Sequence, residues 1–251
     1  MSASLGGTPG GAISAFRRAA LPAEESRALA RIAKEPDLAR TMEQFRRAVD
    51  RAPDARTALR DPRVLAGIGQ ALGIPQAATQ PGLASRALLS DLTKPGSVAN
   101  NLPDKRWKEA AASLKLATAG IQSLRDPKVQ ATLLDGLRRA RLREEQDMQT
   151  PGLGDALEFR NRAARAKTSF DVLGDPVLRP VVTGALGLPQ QLALQSVEAQ
   201  GRAVDSRLKV ATLQNPGEVK RLAERYLVKL STSAGAGLPD TSGLAQFGFN
   251  V

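Results

Sequence analysis

The sequence predicts an all-α protein, a multi-helix bundle of two pseudo-repeated helical halves with disordered termini. No segment has the alternating Val, Ile, Thr and aromatic residues of a β-strand. Apolar residues make up 42% of the chain but aromatic residues only 3%, so the core must consist of aliphatic and small side chains, which suit closely packed helices. A motif with the start and stop signals of a short helix also occurs twice.

The repeated motif begins with Asp-Pro and ends with Ala-Leu-Gly-Ile-Pro or Ala-Leu-Gly-Leu-Pro. It covers residues 61–75 and 175–189, and a partial copy starts at Asp126. The Asp side chain can cap free backbone amides, and Pro suits the first helical turn because it has no amide to lose. Gly accepts the left-handed conformation past the helix end, and the following Pro prevents continuation. Pro180 inside the second copy predicts a kink or a late start.

The N-terminal part is expected to contain a disordered segment, residues 1–20, and amphipathic helices, residues 21–55. In a helix from Asp37, four apolar residues with spacings of four, three and four share one face. This face packs either on the protein's own core or on a partner, and we consider it a candidate partner-binding site. Its residues are Leu38, Met42, Phe45 and Val49.

The first helical half is expected over residues 56–118. After the first repeat helix, the pattern predicts helices from Leu83, after Ser97 and after Asp104, which can cap the last of them. Trp107 lies among apolar residues at helical spacing, so we interpret it as a core anchor.

The second half is expected over residues 119–230, and the Thr150-Pro151-Gly152 loop suggests a further subdomain boundary within it. A helix from Asp126 carries clustered basic residues near its end, which form either a solvated face or a phosphate- or partner-binding patch. Helices are also expected from Asp155, over residues 193–213 and after Pro216. The basic residues are Arg138, Arg139, Arg141 and Arg143, with Arg160, Arg162 and Arg165 further along the chain.

Residues 231–251 are expected to form a flexible tail, since their first part is small, polar and rich in Gly. The tail ends in apolar residues, of which Phe247, Phe249 and Val251 are candidate partner contacts. The alternatives are a tail that folds back on the domain, a tail that stays disordered, and a short apolar motif that binds a partner's groove or sheet edge.

The residue inventory argues against catalysis. The chain contains no Cys and no His, so it lacks disulfides, thiolate zinc ligands and the commonest general base. We therefore expect a protein that is not an enzyme and that needs no cofactor or metal. Gly67, Gly69 and Gly73 superficially resemble a dinucleotide-binding set, but that set requires a preceding strand. No apolar run is long enough for a membrane span, and no cleavable signal peptide is recognised.

The net charge of +11 has two interpretations. A nucleic acid or an acidic membrane surface is the usual partner of such a basic protein. The abundance of Ala, Arg, Gly and Pro favours the other interpretation, a high-GC coding bias. Aromatic side chains on which bases could stack are nearly absent, with one Trp and one Tyr.

Four blocks of sequence resemble the bacterial family called domain of unknown function 1217, found chiefly in alphaproteobacteria. They are Leu-Arg-Asp-Pro-Arg-Val-Leu from Leu59, Pro-Gly-Leu-Ala-Ser-Arg-Ala-Leu-Leu from Pro81, Ser-Val-Ala-Asn-Asn-Leu-Pro-Asp-Lys-Arg-Trp from Ser97, and Phe-Asp-Val-Leu-Gly-Asp-Pro-Val-Leu from Phe170. The resemblance covers residues 56–230. Glu158 and Arg160 depart from it, because the family is usually more apolar there.

The resemblance implies a helical protein with no known catalytic residues, and its genes often lie among flagellar genes. The expected function is therefore non-enzymatic, in flagellar assembly or structure, with a flagellar component as protein partner. The alternative is a basic helical protein that binds nucleic acid. The expected location is the cytoplasm, or the flagellum after export without a cleaved signal peptide.

Overall fold

The computed structural model describes residues 8–236, and the secondary structure of this part of the chain is entirely helical. The α-helices are α1 (Pro9–Ala19), α2 (Pro22–Ile32), α3 (Pro36–Arg51), α4 (Ala55–Ala58), α5 (Pro62–Ala71), α6 (Gln76–Thr79), α7 (Pro81–Leu88), α8 (Val98–Asn101), α9 (Arg106–Leu114), α10 (Leu116–Ala119), α11 (Ile121–Arg125), α12 (Pro127–Gln149), α13 (Leu153–Arg162), α14 (Ser169–Gly174), α15 (Leu178–Ala185), α16 (Val197–Asp205) and α17 (Pro216–Ala236). Short 3₁₀ helices cover Ala163–Arg165, Gln190–Leu194 and Val210–Gln214. The predicted all-α class is confirmed.

The helices bury two hydrophobic cores. The first core contains buried side chains from Met42 to Leu137, and Trp107 lies in it as predicted. The second core joins α1 to buried side chains from Leu153 to Leu227. The cores therefore divide along α12 and the loop after it. The predicted division at residue 118 lies inside the first core, because Ile121 is buried there.

Residues 9–19 form a helix, so the prediction of a disordered segment over residues 1–20 is wrong for them. The Thr8 hydroxyl accepts a hydrogen bond from the Gly11 amide at 3.1 Å and caps α1. Ala12 and Phe16 are each only 1% exposed and pack in the second core. The Gly-rich composition suggested disorder, but a buried aromatic side chain one turn after a buried alanine anchors the helix.

Both copies of the repeated motif fold as predicted. The Asp61 carboxylate caps α5 and accepts from the Arg63 amide at 2.9 Å. The Asp175 carboxylate accepts from the amides of Val177, at 2.8 Å, and of Leu178, the first residue of α15, at 3.1 Å. Gly73 and Gly187 have positive φ angles of 69° and 62° at the two helix ends. In the second copy α15 begins only at Leu178, which is the late start predicted from Pro180.

Each repeat helix packs on a long helix at a glycine. The end of α5 lies against α12 at Gly136, where a Cβ atom would overlap the carbonyl oxygen of Ala71. In the second half, a Cβ atom on Gly184 of α15 would lie 2.9 Å from the Tyr226 ring of α17. In both halves, therefore, a glycine allows a short helix to pack closely against a long one, because it has no side chain.

Two predictions for the C-terminal part are wrong. A continuous helix over residues 193–213 does not form, because the Ser196 side chain accepts from the Ala199 amide and starts α16 there. A second short helical element then follows α16. In addition, α17 continues to Ala236, so the predicted tail from Ser231 begins inside a helix.

Candidate functional site

The apolar face of α3 belongs to the first core. Met42, Phe45 and Val49 are at most 3% exposed, and Leu38 packs against the same core while partly buried. The prediction that this face contacts a partner is therefore wrong for the folded chain. The reason is that α5 and α11 cover the face, which an amphipathic pattern alone does not show.

The basic residues of α12 are largely neutralised by carboxylates. Three of the four predicted residues form ion pairs, and the Nε atom of the fourth, Arg138, is buried without a hydrogen-bond partner. The pairs are Arg139 with Glu25 and Asp135, Arg141 with Glu35 and Glu144, and Arg143 with Glu158, at 2.7, 2.9, 3.3, 3.2 and 3.2 Å. Since α2 and α13 supply partners, this patch mainly fastens helices to α12.

The second group of arginines is used in the same way. Arg162 pairs with Asp175 at 2.8 Å while only 11% of its side chain is exposed. Arg165 pairs with Glu109 at 3.3 Å. The guanidinium of Arg160 lies 6.0 Å from the centre of the Phe16 ring, a cation–π distance. The structure therefore does not form one continuous basic surface from these residues and the arginines of α12.

The predicted contacts Phe247, Phe249 and Val251 lie outside residues 8–236, the part of the chain that the structure describes.

A groove with a volume of about 680 Å³ lies between the second repeat and α17. We call it the α15–α17 groove. Residues of α15, of the Gly187-Leu188-Pro189 turn and of the following 3₁₀ helix form one side. The other side is the face of α17 that carries Tyr226, Lys229, Leu230 and Ser233. The motif that ends the repeat helix thus also builds a wall of the groove.

A buried glutamine holds the outer wall in place. Gln200 of α16 is 5% exposed, and its amide donates to the carbonyl oxygen of Gln195 at 2.7 Å. Its side-chain oxygen accepts from Arg179 of α15 at 2.7 Å. This network links α15, α16 and the 3₁₀ segment, because a buried amide must have its hydrogen-bonding groups satisfied.

The charges that line the groove are all positive. Its lining includes Arg179 and Lys229 but no Asp or Glu, and no ion pair joins either residue to a carboxylate within residues 8–236. The remaining lining is mostly apolar or small. The groove therefore suits an apolar ligand segment that carries negative charge.

Exposed apolar side chains lie next to the groove. Leu194, at the end of the 3₁₀ wall, is 89% exposed, and Val197 of α16 is 52% exposed. Phe170 of α14 is also 52% exposed, and its ring lies 3.5 Å from the Cβ position of Gly201 on α16. Neighbouring exposed apolar residues are typical of surfaces that bind another protein.

Two carboxyl groups lie behind the groove, where α12 and α13 meet α17. Burial raises the pKa of Asp147, whose carboxylate accepts from the Gly154 amide at 2.8 Å. Burial also raises the pKa of Asp155, next to the Tyr226 hydroxyl. The pKa of Tyr226 is raised as well, first by burial and then by the two carboxylates. The cluster contacts α17 and serves to join the helices.

Within the described residues no group of three or more Asp or Glu side chains is arranged to hold a metal ion. Gly67 lies inside α5, where a Cβ atom would meet the Phe45 ring at 3.2 Å, so the glycine set serves helix packing. Residues 8–236 contain no helix long and apolar enough to cross a bilayer.

The α15–α17 groove does not follow from the sequence patterns. Its lining combines residues 179–200 with a face of α17 about 25 residues further along the chain, and the helix expected over residues 193–213 began inside the wall at residues 190–194. One signal was present: Tyr226, Leu230 and Ser233 follow each other at helical spacing, and Ser233 would face the same way as its apolar neighbours.

Comparisons with known proteins identify the chain's relatives. The family model described as Protein of unknown function (DUF1217) matches residues 40–219. A crystal structure of a protein from Agrobacterium tumefaciens is similar, with a TM-score of 0.71 and 23% sequence identity over 88% of this chain and 93% of that chain. This likeness shows a shared fold. No curated protein matches the sequence significantly.

Proposed function

Because the chain belongs to the family Protein of unknown function (DUF1217), we propose that it is a non-enzymatic helical protein that acts in flagellar assembly through protein–protein contacts. The observation that carries the proposal is the α15–α17 groove, about 680 Å³ in volume and lined largely by apolar and small residues. A groove between helices is a common receptor for a short apolar segment of another protein.

The surroundings of the groove support protein binding. The exposed side chains of Leu194 and Val197 extend the apolar surface beyond the groove, as expected for a contact larger than a small molecule. Lys229 is exposed on the α17 side, where it can select an acidic partner segment.

The groove lacks the pairs of groups that most enzymes use. General acid–base catalysis needs a side chain that gains and loses a proton near neutral pH. The lining holds two cations, Arg179 and Lys229, and no carboxyl group. These residues suit binding and charge selection.

The flagellar part of the proposal rests on the family resemblance, because genes of the family often lie among flagellar genes. Its partner would be a flagellar component.

The test is a strain that lacks the gene. It is complemented with the wild-type gene, with Ser233→Trp, or with Thr232→Trp. Both residues are exposed on α17 and both hydroxyls bond only to the helix backbone, but Ser233 alone lines the groove. We expect defective flagella in the deletion strain and with Ser233→Trp, and normal flagella with Thr232→Trp. Normal flagella in the deletion strain would refute the flagellar proposal.

The net charge of +11 favours a second candidate function, nucleic-acid binding. The carboxylate partners of Arg139, Arg141 and Arg143 weaken it. Anisotropy of a labelled DNA duplex distinguishes the two candidates: electrostatic binding to the phosphate backbone falls by orders of magnitude over a few-fold rise in salt. An absence of binding at low salt would eliminate this candidate.

A further inference from the structure

We propose that residues 237–251 of this same chain occupy the α15–α17 groove, so that a protein partner binds there by displacing them. The inference rests on the proposed function in one respect: both assign the groove to protein binding. Four observations support it: where the described chain ends, the length of the following segment, its apolar residues and its charge.

The described chain ends beside the groove. The groove follows the last turns of α17 along Tyr226, Leu230 and Ser233. The described part of the helix extends to Ala236, three residues after the last lining residue. The segment that follows therefore starts within one helical turn of the groove, and it needs only to reverse direction to enter it.

The segment is long enough for this reversal. It contains 15 residues, 237–251, and an extended chain of that length spans up to about 50 Å. Its first residues include Gly237, Pro239 and Gly243, which are the residue types that turns use. Part of the segment can therefore form the turn while the rest lies along the groove.

The apolar residues of the segment match the lining of the groove. Leu244, Phe247, Phe249 and Val251 fall in its last eight residues. They would meet the partly exposed side chains of the 187–194 wall and Leu230 on α17. Two phenylalanines supply a large apolar area for burial, which is the main favourable term in such contacts.

The charges are complementary. The segment has one charged side chain, Asp240, and no Lys or Arg. The groove offers Arg179 and Lys229, which make no ion pair with a carboxylate within residues 8–236, and it has no acidic lining residue. An acidic group near the turn can therefore approach Lys229 without meeting a like charge.

Connection to α17 favours this occupant over an outside one. A tethered segment acts at an effective concentration in the millimolar range when its linker is short. A segment of a second copy or of a partner must exceed that concentration or bind more tightly. The groove is thus self-occupied at low partner concentration.

Binding of a labelled peptide tests the proposal. The probe is a fluorescein-labelled peptide with the sequence of residues 237–251, and its anisotropy is followed on addition of the full-length chain. We expect the double variant Phe247→Ala/Phe249→Ala, whose own segment is weakened, to bind the peptide at least about tenfold more tightly than the wild type.

Adding Ser233→Trp to that double variant should abolish the binding, whereas Thr232→Trp should leave it. Circular dichroism of every variant controls for folding. Equal binding by the wild type and the double variant would overturn the proposal, and so would the absence of peptide binding to the double variant.

Cross-linking identifies which chain supplies the segment. The chain has no Cys, so Ala193→Cys in the groove and Gly248→Cys in the segment form a single defined pair. Under mild oxidation we expect a disulfide-linked monomer, and no such species from Glu43→Cys/Gly248→Cys, whose first site is exposed on α3. A disulfide-linked dimer would overturn docking within one chain and indicate a second copy.

These measurements use purified protein. A negative result refutes self-occupation and leaves the flagellar proposal open, whereas normal flagella in the deletion strain refute that proposal and leave self-occupation standing.

Discussion

Arg162 and Asp175 form an ion pair that is almost excluded from solvent and that also fixes the start of α15. The Nη2 and Oδ2 atoms lie 2.8 Å apart, and the side chains are only 11% and 13% exposed. The other carboxylate oxygen of Asp175 accepts from the amides of Val177 and Leu178, at 2.8 and 3.1 Å. One carboxylate thus ties α13 to the second repeat and accepts from the first amide of its helix.

The first repeat helix is fastened at its other end. Arg106, 8% exposed, donates to the carbonyl oxygen of Gly73 just past α5 and pairs with Asp104 at 2.8 Å. The capping residue Asp61 has only a loose pair with the exposed Arg63, at 3.6 Å. A buried arginine therefore fastens each of the two similar motifs. Arg106 acts at the end of the first repeat helix, and Arg162, from a different helix, acts at the start of the second.

Removal of the Arg162 side chain should lower the stability of the protein strongly. Arg162→Ala leaves the Asp175 carboxylate buried without its cation, which typically lowers the free energy of unfolding by about 3 kcal/mol. Arg165→Ala is the matched change, since its pair with Glu109 is exposed and worth at most about 1 kcal/mol. Urea unfolding followed by circular dichroism measures both. Equal, small losses would show that the buried pair contributes little.

Two glycine substitutions should have opposite effects. Gly136→Ala places a methyl group against the Ala71 carbonyl, so α5 must move from α12 and the protein should lose stability. Gly82→Ala in α7 meets no atom within 4 Å, and it should raise stability by up to about 1 kcal/mol, because Ala loses less backbone entropy in a helix. Thermal unfolding compares them. A stable Gly136→Ala protein would contradict the close contact.

The α3 face should behave as a core. Phe45→Ala removes a ring that is 2% exposed and lies against Gly67, and such truncations cost about 3–5 kcal/mol. Leu38→Ala, at a partly buried position, should cost clearly less. Denaturant unfolding gives both values. A fully stable Phe45→Ala protein would restore the interpretation of this face as a partner surface.

Stability should depend on pH through Asp147. Because burial raises its pKa in the folded state, the folded protein binds more protons than the unfolded chain between the ordinary and the raised value. The free energy of unfolding that the protonated Asp147 carboxyl contributes is therefore lost as pH rises from the ordinary pKa to the raised one. Asp147→Asn removes this loss while its side-chain oxygen can still accept from Gly154, so the variant should be more stable than wild type at neutral pH.

The difference in the free energy of unfolding between wild type and Asp147→Asn should shrink as pH falls below about 4, near the ordinary pKa of Asp. Asp54→Asn should give the opposite sign, since a hydrogen bond from the Thr57 amide lowers the pKa of Asp54. Urea titrations between acidic and neutral pH measure both differences. A variant Asp147→Asn that is less stable at neutral pH would show that the charged carboxylate is needed.

Local signals predicted local structure well. The Gly ends of both repeats and the Asp-Pro start of the first gave correct helix limits, because caps and positive φ angles depend on neighbouring residues, and Pro180 predicted the late start of the second. Residues 9–19 were misassigned because their Gly content concealed one buried aromatic side chain, Phe16. The helix expected over residues 193–213 failed because Ser196 and Gln200 satisfy backbone groups that a continuous helix would use.

The candidate site was predicted poorly. An amphipathic face such as that of α3 has the same pattern whether a neighbour in the same chain or a partner covers it. The arginines of α12 were interpreted as a basic patch, because the sequence does not show that Glu25 and Glu158 lie opposite them. The groove forms only when α17 packs against residues 179–200, and a local sequence pattern does not show this packing.

The sequence by itself determined that this protein is all-α, where its first repeat helix starts and where both repeat helices stop, and that its cores are mostly aliphatic and small side chains, since those properties follow from residue type and short-range spacing. Only the tertiary structure decided that the two cores meet along α12, that most of the arginines near them are paired, and that the second repeat and α17 enclose a groove. Such properties depend on contacts between residues distant in the chain, and these contacts arise only when the helices pack.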